Sequence, residues 1–540
     1  MVNGNNRLPI TVLILAATVL ALALRLPRLR QRPMHTDEAV HAIKFGRLLE
    51  EGVYTYDPNE YHGPTLNYMT LIPAELESAH NLADVDEFTL RIVPVFFGCL
   101  LVLLLLLIAD GLGPGAAIYA AILTAVSPAM VFYSRYYIME ILLVCFSFGA
   151  IACGYRFSQN KNIGWAVLTG VFVGLIHATK ETSLIVFGSM LPALLFVFLL
   201  SSKKGSSNSK SGISIFPVLA GLAAAVVVSG LFYSSFLSNP AGIFDAVRTY
   251  TAYLNRAGGN TTHIHPWYYY LKMLIYSHYD SGPVWTEALI VVLAVVGFVA
   301  AMMGKSMSPS RQALFRFIAF YTLILTAVYS AVPYKTPWCM LGFLHGMILL
   351  AGIGAAALVK IVPKGVPRLI IILVLFAASV HLAWQAYLGS YKFYDDSRNP
   401  YVYAHTTSEV FEVVSKVEEY AGANQEGRDI PIQVICPGSD YWPLPWYLRS
   451  FSNVAWWDKV IEDVPSAPLI ICSDKVEGAL AKKLYTLTPL EERQMYLYLF
   501  DKPYYVWLRP QVKLLGFVRK DLWDSYRQQQ AGTPKTEAEE

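Results

Sequence analysis

Runs of about 20 apolar residues cross the hydrocarbon core of a bilayer, and this chain repeats such runs through most of its length. Eleven are readable, at roughly 8–24, 91–109, 114–133, 138–155, 163–179, 183–200, 213–237, 285–303, 315–333, 338–359 and 368–388. Charged residues make up 15% of the 540 positions and hydrophobic ones 55%, whereas a soluble domain carries roughly 25% charged residues. The fold class is therefore an α-helical polytopic membrane protein. The first run is long and lacks a small-residue cleavage site, so it reads as a signal-anchor rather than a removable signal peptide. A net charge of +3 gives no basic face for nucleic acid.

Lysine and arginine in short loops set the orientation. Arg156 and Lys161, then Lys203, Lys204 and Lys210, then Lys305 and Arg311, then Lys360, Lys364 and Arg368 fall in alternate loops, which are expected inside. The loop 25–90, the turns YSRYY, HATKET and PYKTPW, the loop 238–284 and everything after 389 are expected outside. Arg25, Arg28, Arg30 and Arg32 then break the positive-inside bias, and the reading favoured here is that they meet anionic headgroups and phosphates. The localisation expected is a multi-pass plasma (cytoplasmic) membrane protein, its polar machinery extracytoplasmic.

The chain divides into a transmembrane domain, 1–389, a small extracytoplasmic α/β domain, 390–525, and a polar tail, 526–540, expected to be disordered. Within the outward loop 25–90, DEAVHAIKFGRLLEEG has apolar residues at helical spacing and Gly52 as a stop. A second amphipathic candidate starts at Pro64 and ends near Asn81. KKGSSNSKSG, from Lys203 to Gly212, reads as an inner linker. In the α/β domain, SEVFEVVSKVEEYAG reads as an amphipathic helix, and PIQVIC, APLIIC and YYVWLRP read as strands. Cys436 and Cys472 close two of those strands and read as buried thiols rather than a disulfide; Cys99, Cys145, Cys153 and Cys339 fall in or beside spans.

RPMHTDEAVH places two adjacent carboxylates, Asp37 and Glu38, just after the first span. On a helix start they point about 100° apart and cannot share one job. One suits a general base and the other holds a cation or metal; N-capping of the helix is the structural alternative. Glu140, in YSRYYIMEI, sits about a turn inside the fourth span, where a charge costs roughly 2.5–3.5 kcal/mol and demands a partner, Arg135 being the nearest in sequence. Lys180 (beside Glu181) and Lys335 stand at outward span ends. They are either snorkelling lysines or, with Arg135, a ring of cations for an anionic headgroup. Arg256 is a further cation, and His263 with His265 form an HxH pair, a pattern that suits a divalent metal as well as plain polar surface.

Taken with the spans, these residues resemble the GT-C superfamily of membrane glycosyltransferases, in the PMT-like branch that includes protein mannosyltransferases and lipid A aminoarabinose transferases. YDPNEYHGPTLNYM and DYWPLPWYLR look like a prokaryotic PMT-like group with a soluble C-terminal domain. The resemblance covers roughly residues 8–390. It implies a GT-C fold and a hexosyl or pentosyl transferase that moves a sugar from a polyprenyl-phosphate donor to an extracytoplasmic glycan, lipid or protein by direct displacement. Asp37 inherits the catalytic base role, Glu38 a supporting one, and Glu140 the second acidic position; Arg135, Lys180, Lys335 and Arg256 would bind the donor phosphate. A divalent metal at His263 and His265 is left open by the family. The chain lacks a WWDYG-type motif and trefoil-like inserts, so neither whole-glycan transfer to asparagine nor a Ser/Thr protein acceptor is implied. The competing class is a polytopic transporter or a component of a lipid-linked sugar flippase. It lacks the pair of Gly/Pro-broken spans in matching halves that such folds use.

Overall fold

The computed structural model describes residues 7–59, 62–202, 214–257, 263–304 and 307–532. The linker expected at 203–212 lies outside the described residues. The chain forms two compact units. The first comprises residues 1–29, 47–80 and 87–403, the second residues 30–46, 81–86 and 404–540.

The first unit is helical. Among the described residues, eight helices are long and apolar enough to cross a membrane, from Leu8–Arg25 to Val366–Lys392. The protein is an integral membrane protein. Three of the eleven expected spans form shorter apolar helices, Pro114–Val126, Ile163–His177 and Ala288–Met303. The run 114–133 is broken by its own sequence. Pro128 has no N–H to continue the ladder, and Ser127 turns to φ −55°, ψ 121° and accepts from the Met130 N–H, starting a separate helix Pro128–Tyr133.

Helices in lipid associate through close packing over small residues, and glycine makes that approach here. A Cβ on Gly297 would lie 1.9 Å from the Leu350 carbonyl oxygen, and one on Gly170 would lie 1.9 Å from that of Gly221. The pairs Ala288–Met303 with Leu341–Ile361, and Ile163–His177 with Ile215–Tyr233, therefore meet backbone to backbone.

The loop 25–90 contains both expected helices, Thr36–Glu51 and Thr65–Leu76. The second stops at Leu76. Asn81 instead starts a short 3₁₀ turn, Leu82–Asp84, by accepting the N–H groups of Ala83 and Asp84.

The second unit holds a six-stranded sheet, with β1 (Ile432–Ile435), β2 (Val454–Trp457), β3 (Leu469–Ser473), β4 (Tyr496–Tyr498), β5 (Val506–Arg509) and β6 (Val512–Arg519). Its order is β2-β1-β3-β6-β4, with β5 also on β6. β1 runs parallel to both neighbours, and β6 is antiparallel to β3, β4 and β5. The strands β1 and β3 are buried along their whole length, as strands covered on both faces must be. Cys436 and Cys472 are buried free thiols. The tail begins later than 526. Tyr526 stacks against Tyr420 at 4.6 Å and donates to Glu419, which holds the helix Lys520–Gly532 together across that boundary.

Candidate active site

In the second unit, the two adjacent carboxylates have opposite environments. Glu38 is wholly buried. Its Oε1 accepts from Arg32 Nη2 at 2.9 Å and its Oε2 from the His35 backbone N–H at 3.0 Å. Glu38 thus closes the helix start from inside and neutralises Arg32. Asp37 points the other way, its side chain 44% exposed. His35 stands beside it, with Nδ1 3.9 Å from Oδ2. That nitrogen accepts the Asp37 backbone N–H at 3.1 Å, so the ring directs a lone pair, not a proton, toward this turn. The Asp37 carboxylate does not cap the helix. It is held beside the turn with its proton-accepting oxygens open to solvent, which is the geometry a general base requires.

In the first unit, Glu140 begins the helix Glu140–Asn160 and is buried. Its partner is Lys180, not Arg135: the Lys180 ammonium donates directly to Glu140 Oε1. Both charges line a small cavity of about 20 Å³, bounded by Ser147, Tyr321, Tyr329, Trp338 and Cys339.

The three cations of the expected ring each have partners of their own. Arg135 donates to the carbonyls of Arg25 (2.6 Å), Pro27 (2.7 Å) and Arg28 (3.3 Å) and to Tyr391 Oη (3.1 Å), and it lies over the Tyr391 ring. It ties down the chain leaving the first span. Lys335 is buried and donates to the carbonyls of His265 and Val332; burial holds its ammonium below the ordinary lysine value. The side chain of Arg256 lies outside the described residues.

Three of the four arginines at 25–32 have partners within the protein. Arg25 is wholly buried and donates to the carbonyls of Ala21, Thr124 and Ala125. Arg30 pairs with Asp86 at 2.6 Å, and Arg32 holds Glu38.

His263 and His265 converge on one hydroxyl, that of Tyr403, at 2.7 and 3.3 Å. His265 also stacks on Tyr269. Burial, then the adjacent His263 and Lys335, hold its pKa below the usual histidine value. No group of three or more His, Cys, Asp or Glu residues suited to a metal ion occurs among the described residues.

Two carboxylates escaped the sequence reading. Glu181, flagged only as a neighbour of Lys180, accepts from His62 Nδ1 at 2.7 Å and Tyr56 Oη at 3.0 Å. Burial alone would raise its pKa, but the His62 contact and the Lys180 charge hold it below the usual carboxylate value. Glu287 is wholly buried and accepts from the Ala129 N–H at 3.0 Å, Tyr401 Oη at 2.8 Å and Ser127 Oγ. A carboxylate opening an apolar run, as in PVWTEALI, was the available signal for it.

Residues 70–233 match the family model described as dolichyl-phosphate-mannose-protein mannosyltransferase. ArnT from Cupriavidus metallidurans in the apo state superposes with a TM-score of 0.60 at 14% identity, covering 94% of this chain and 97% of that one. The same protein bound to undecaprenyl phosphate gives 0.58 at 13% identity, with the same coverage. The Archaeoglobus fulgidus oligosaccharyltransferase tethered with an acceptor peptide gives 0.52 at 12% identity over 84% of this chain. This chain spans 64% of the length of that oligosaccharyltransferase. No curated protein sequence matches significantly. The chain has the GT-C fold of these structures, and its residues 70–233 are similar to the mannosyltransferase family model.

Proposed function

We propose that this protein is a membrane glycosyltransferase. It takes a sugar from a polyprenyl-phosphate donor and gives it to an acceptor on the outer face of the cytoplasmic membrane. Asp37 removes the proton of an acceptor hydroxyl as that oxygen bonds to the anomeric carbon. The bond from that carbon to the phosphate oxygen breaks, and the lipid phosphate leaves with the electron pair. Within the first unit, Lys180, oriented by Glu140, is the cation assigned to binding the donor phosphate. The family match and the ArnT fold support the chemistry, and ArnT bound to undecaprenyl phosphate supports the donor class.

The observation that carries the reading is the partition of the adjacent carboxylates. Glu38 is buried and ion-paired, while Asp37 stays exposed and accepts no hydrogen bond among the described residues. The test compares surface glycans and lipids by mass spectrometry in a gene-deletion strain carrying wild-type or Asp37→Asn protein at equal membrane levels. The variant should fold with an unchanged melting temperature and yield about a hundredfold less product or worse. Normal product from Asp37→Asn would remove Asp37 from the mechanism.

A further inference from the structure

The Asp37 carboxylate accepts no hydrogen bond among the described residues, so its position depends on the backbone on either side of it. That backbone belongs to the second unit, and residues far along the chain hold it there. The Met34 N–H donates to Tyr447 Oη at 2.8 Å, and the Met34 carbonyl accepts from Thr406 Oγ1 at 2.7 Å. Thr36, the residue before Asp37, accepts at Oγ1 from Arg509 Nη1 at 3.2 Å.

Arg509 ends β5, and its guanidinium is itself oriented. It donates to the Trp442 carbonyl at 2.8 Å and to Asp440 Oδ1 at 2.7 Å, while Lys475 occupies the other Asp440 oxygen at 2.9 Å. The Arg509 side chain is only 16% exposed. A guanidinium fork fixed at two points delivers its third bond with little freedom. Three separate segments of the α/β domain therefore hold the peptide that leads into Asp37.

We propose that Arg509 is a positioning residue for the catalytic base, acting through Thr36, and that the C-terminal α/β domain serves to set the Asp37 carboxylate. This rests on the assignment of Asp37 as base. A reacting group must be held within about 0.5 Å of its productive place, and an error of about 1 Å can lower the rate by up to 100-fold. Losing one of these bonds should therefore act on turnover more than on donor affinity.

The experiment uses the full-length protein in nanodiscs with the polyprenyl-phosphate sugar fraction extracted from host membranes, assayed at saturating and limiting amounts. Thr36→Val keeps the shape and removes the acceptor oxygen, Thr36→Ser keeps it, and Arg509→Lys keeps the charge without the fork. Thr36→Val should lower kcat about 10- to 100-fold with KM and melting temperature nearly unchanged, and Thr36→Ser should restore most of it. Arg509→Lys should fall between. In an Asp37→Asn background, Thr36→Val should cause no further loss. Normal kcat in Thr36→Val, or a loss of equal size with and without Asp37, overturns the positioning role and leaves Asp37 as base. A fully active Asp37→Asn protein overturns both.

Discussion

The buried charges of the first unit divide by partner, and the division predicts how substitutions behave. Glu140 and Lys180 are each about nine-tenths buried and form an ion pair. Removing one member of a buried pair strands the other, at about 3–5 kcal/mol, whereas replacing both by apolar groups of similar size is often nearly neutral. Lys180→Met should therefore lower the melting temperature sharply, and Glu140→Leu added to it should recover most of the loss. The recovered double variant should fold yet bind polyprenyl phosphate weakly, measured by retention of labelled lipid. Normal lipid retention would leave the pair a structural one. Arg135 is a different case despite lying closer to Glu140 in sequence. Its charge is engaged by four hydrogen bonds around the end of the first span.

At the scale of elements, the broken span 114–133 shows how a buried carboxylate organises a helix start. Glu287 accepts the Ala129 N–H, one of the orphan donors at the beginning of Pro128–Tyr133. Its remaining capacity takes Ser127 and Tyr401. Glu287→Gln replaces one acceptor oxygen by a donor facing donors. It should cost about 1–3 kcal/mol in the described site, whereas Tyr401→Phe, which removes one bond, should cost about 1 kcal/mol. Thermal melting of both variants checks the order, and an unchanged Glu287→Gln would show that the contact does not anchor the break. The apolar runs and the punctuation at Pro128 were readable in advance. The acid that holds the break was not, because it lies 158 residues away from Ala129.

For the whole molecule, the loop charges predict residues 156–161 inside and the α/β domain outside. All six cysteines are free and five are buried, so a new exposed cysteine can be read against a low background. Gln425→Cys should react with a membrane-impermeant maleimide in intact cells, and Gln159→Cys only after permeabilisation. The reverse pattern would invert the protein and remove the outward active site. The second unit also shows why a boundary drawn at 390 is incomplete. Residues 30–46 and 81–86 cluster with 404–540, and Arg449 holds the carbonyls of Leu82 and Val85 at 3.1 and 2.7 Å. Composition changes along a chain, whereas compactness is a property of contacts between distant stretches.

Membrane insertion, the eight long apolar helices and the buried strands β1 and β3 follow from sums over neighbouring side chains, so the sequence determined them. It also placed the Asp37–Glu38 pair at a helix start after the first span, because helix period and span length are local quantities. The tertiary structure alone decided which carboxylate is buried and which stays open. It likewise gave Glu140 the lysine 40 residues on, and held Thr36 with an arginine 473 residues on. Ion pairs and hydrogen bonds act over a few ångströms in space, and sequence separation does not encode which charges come that close.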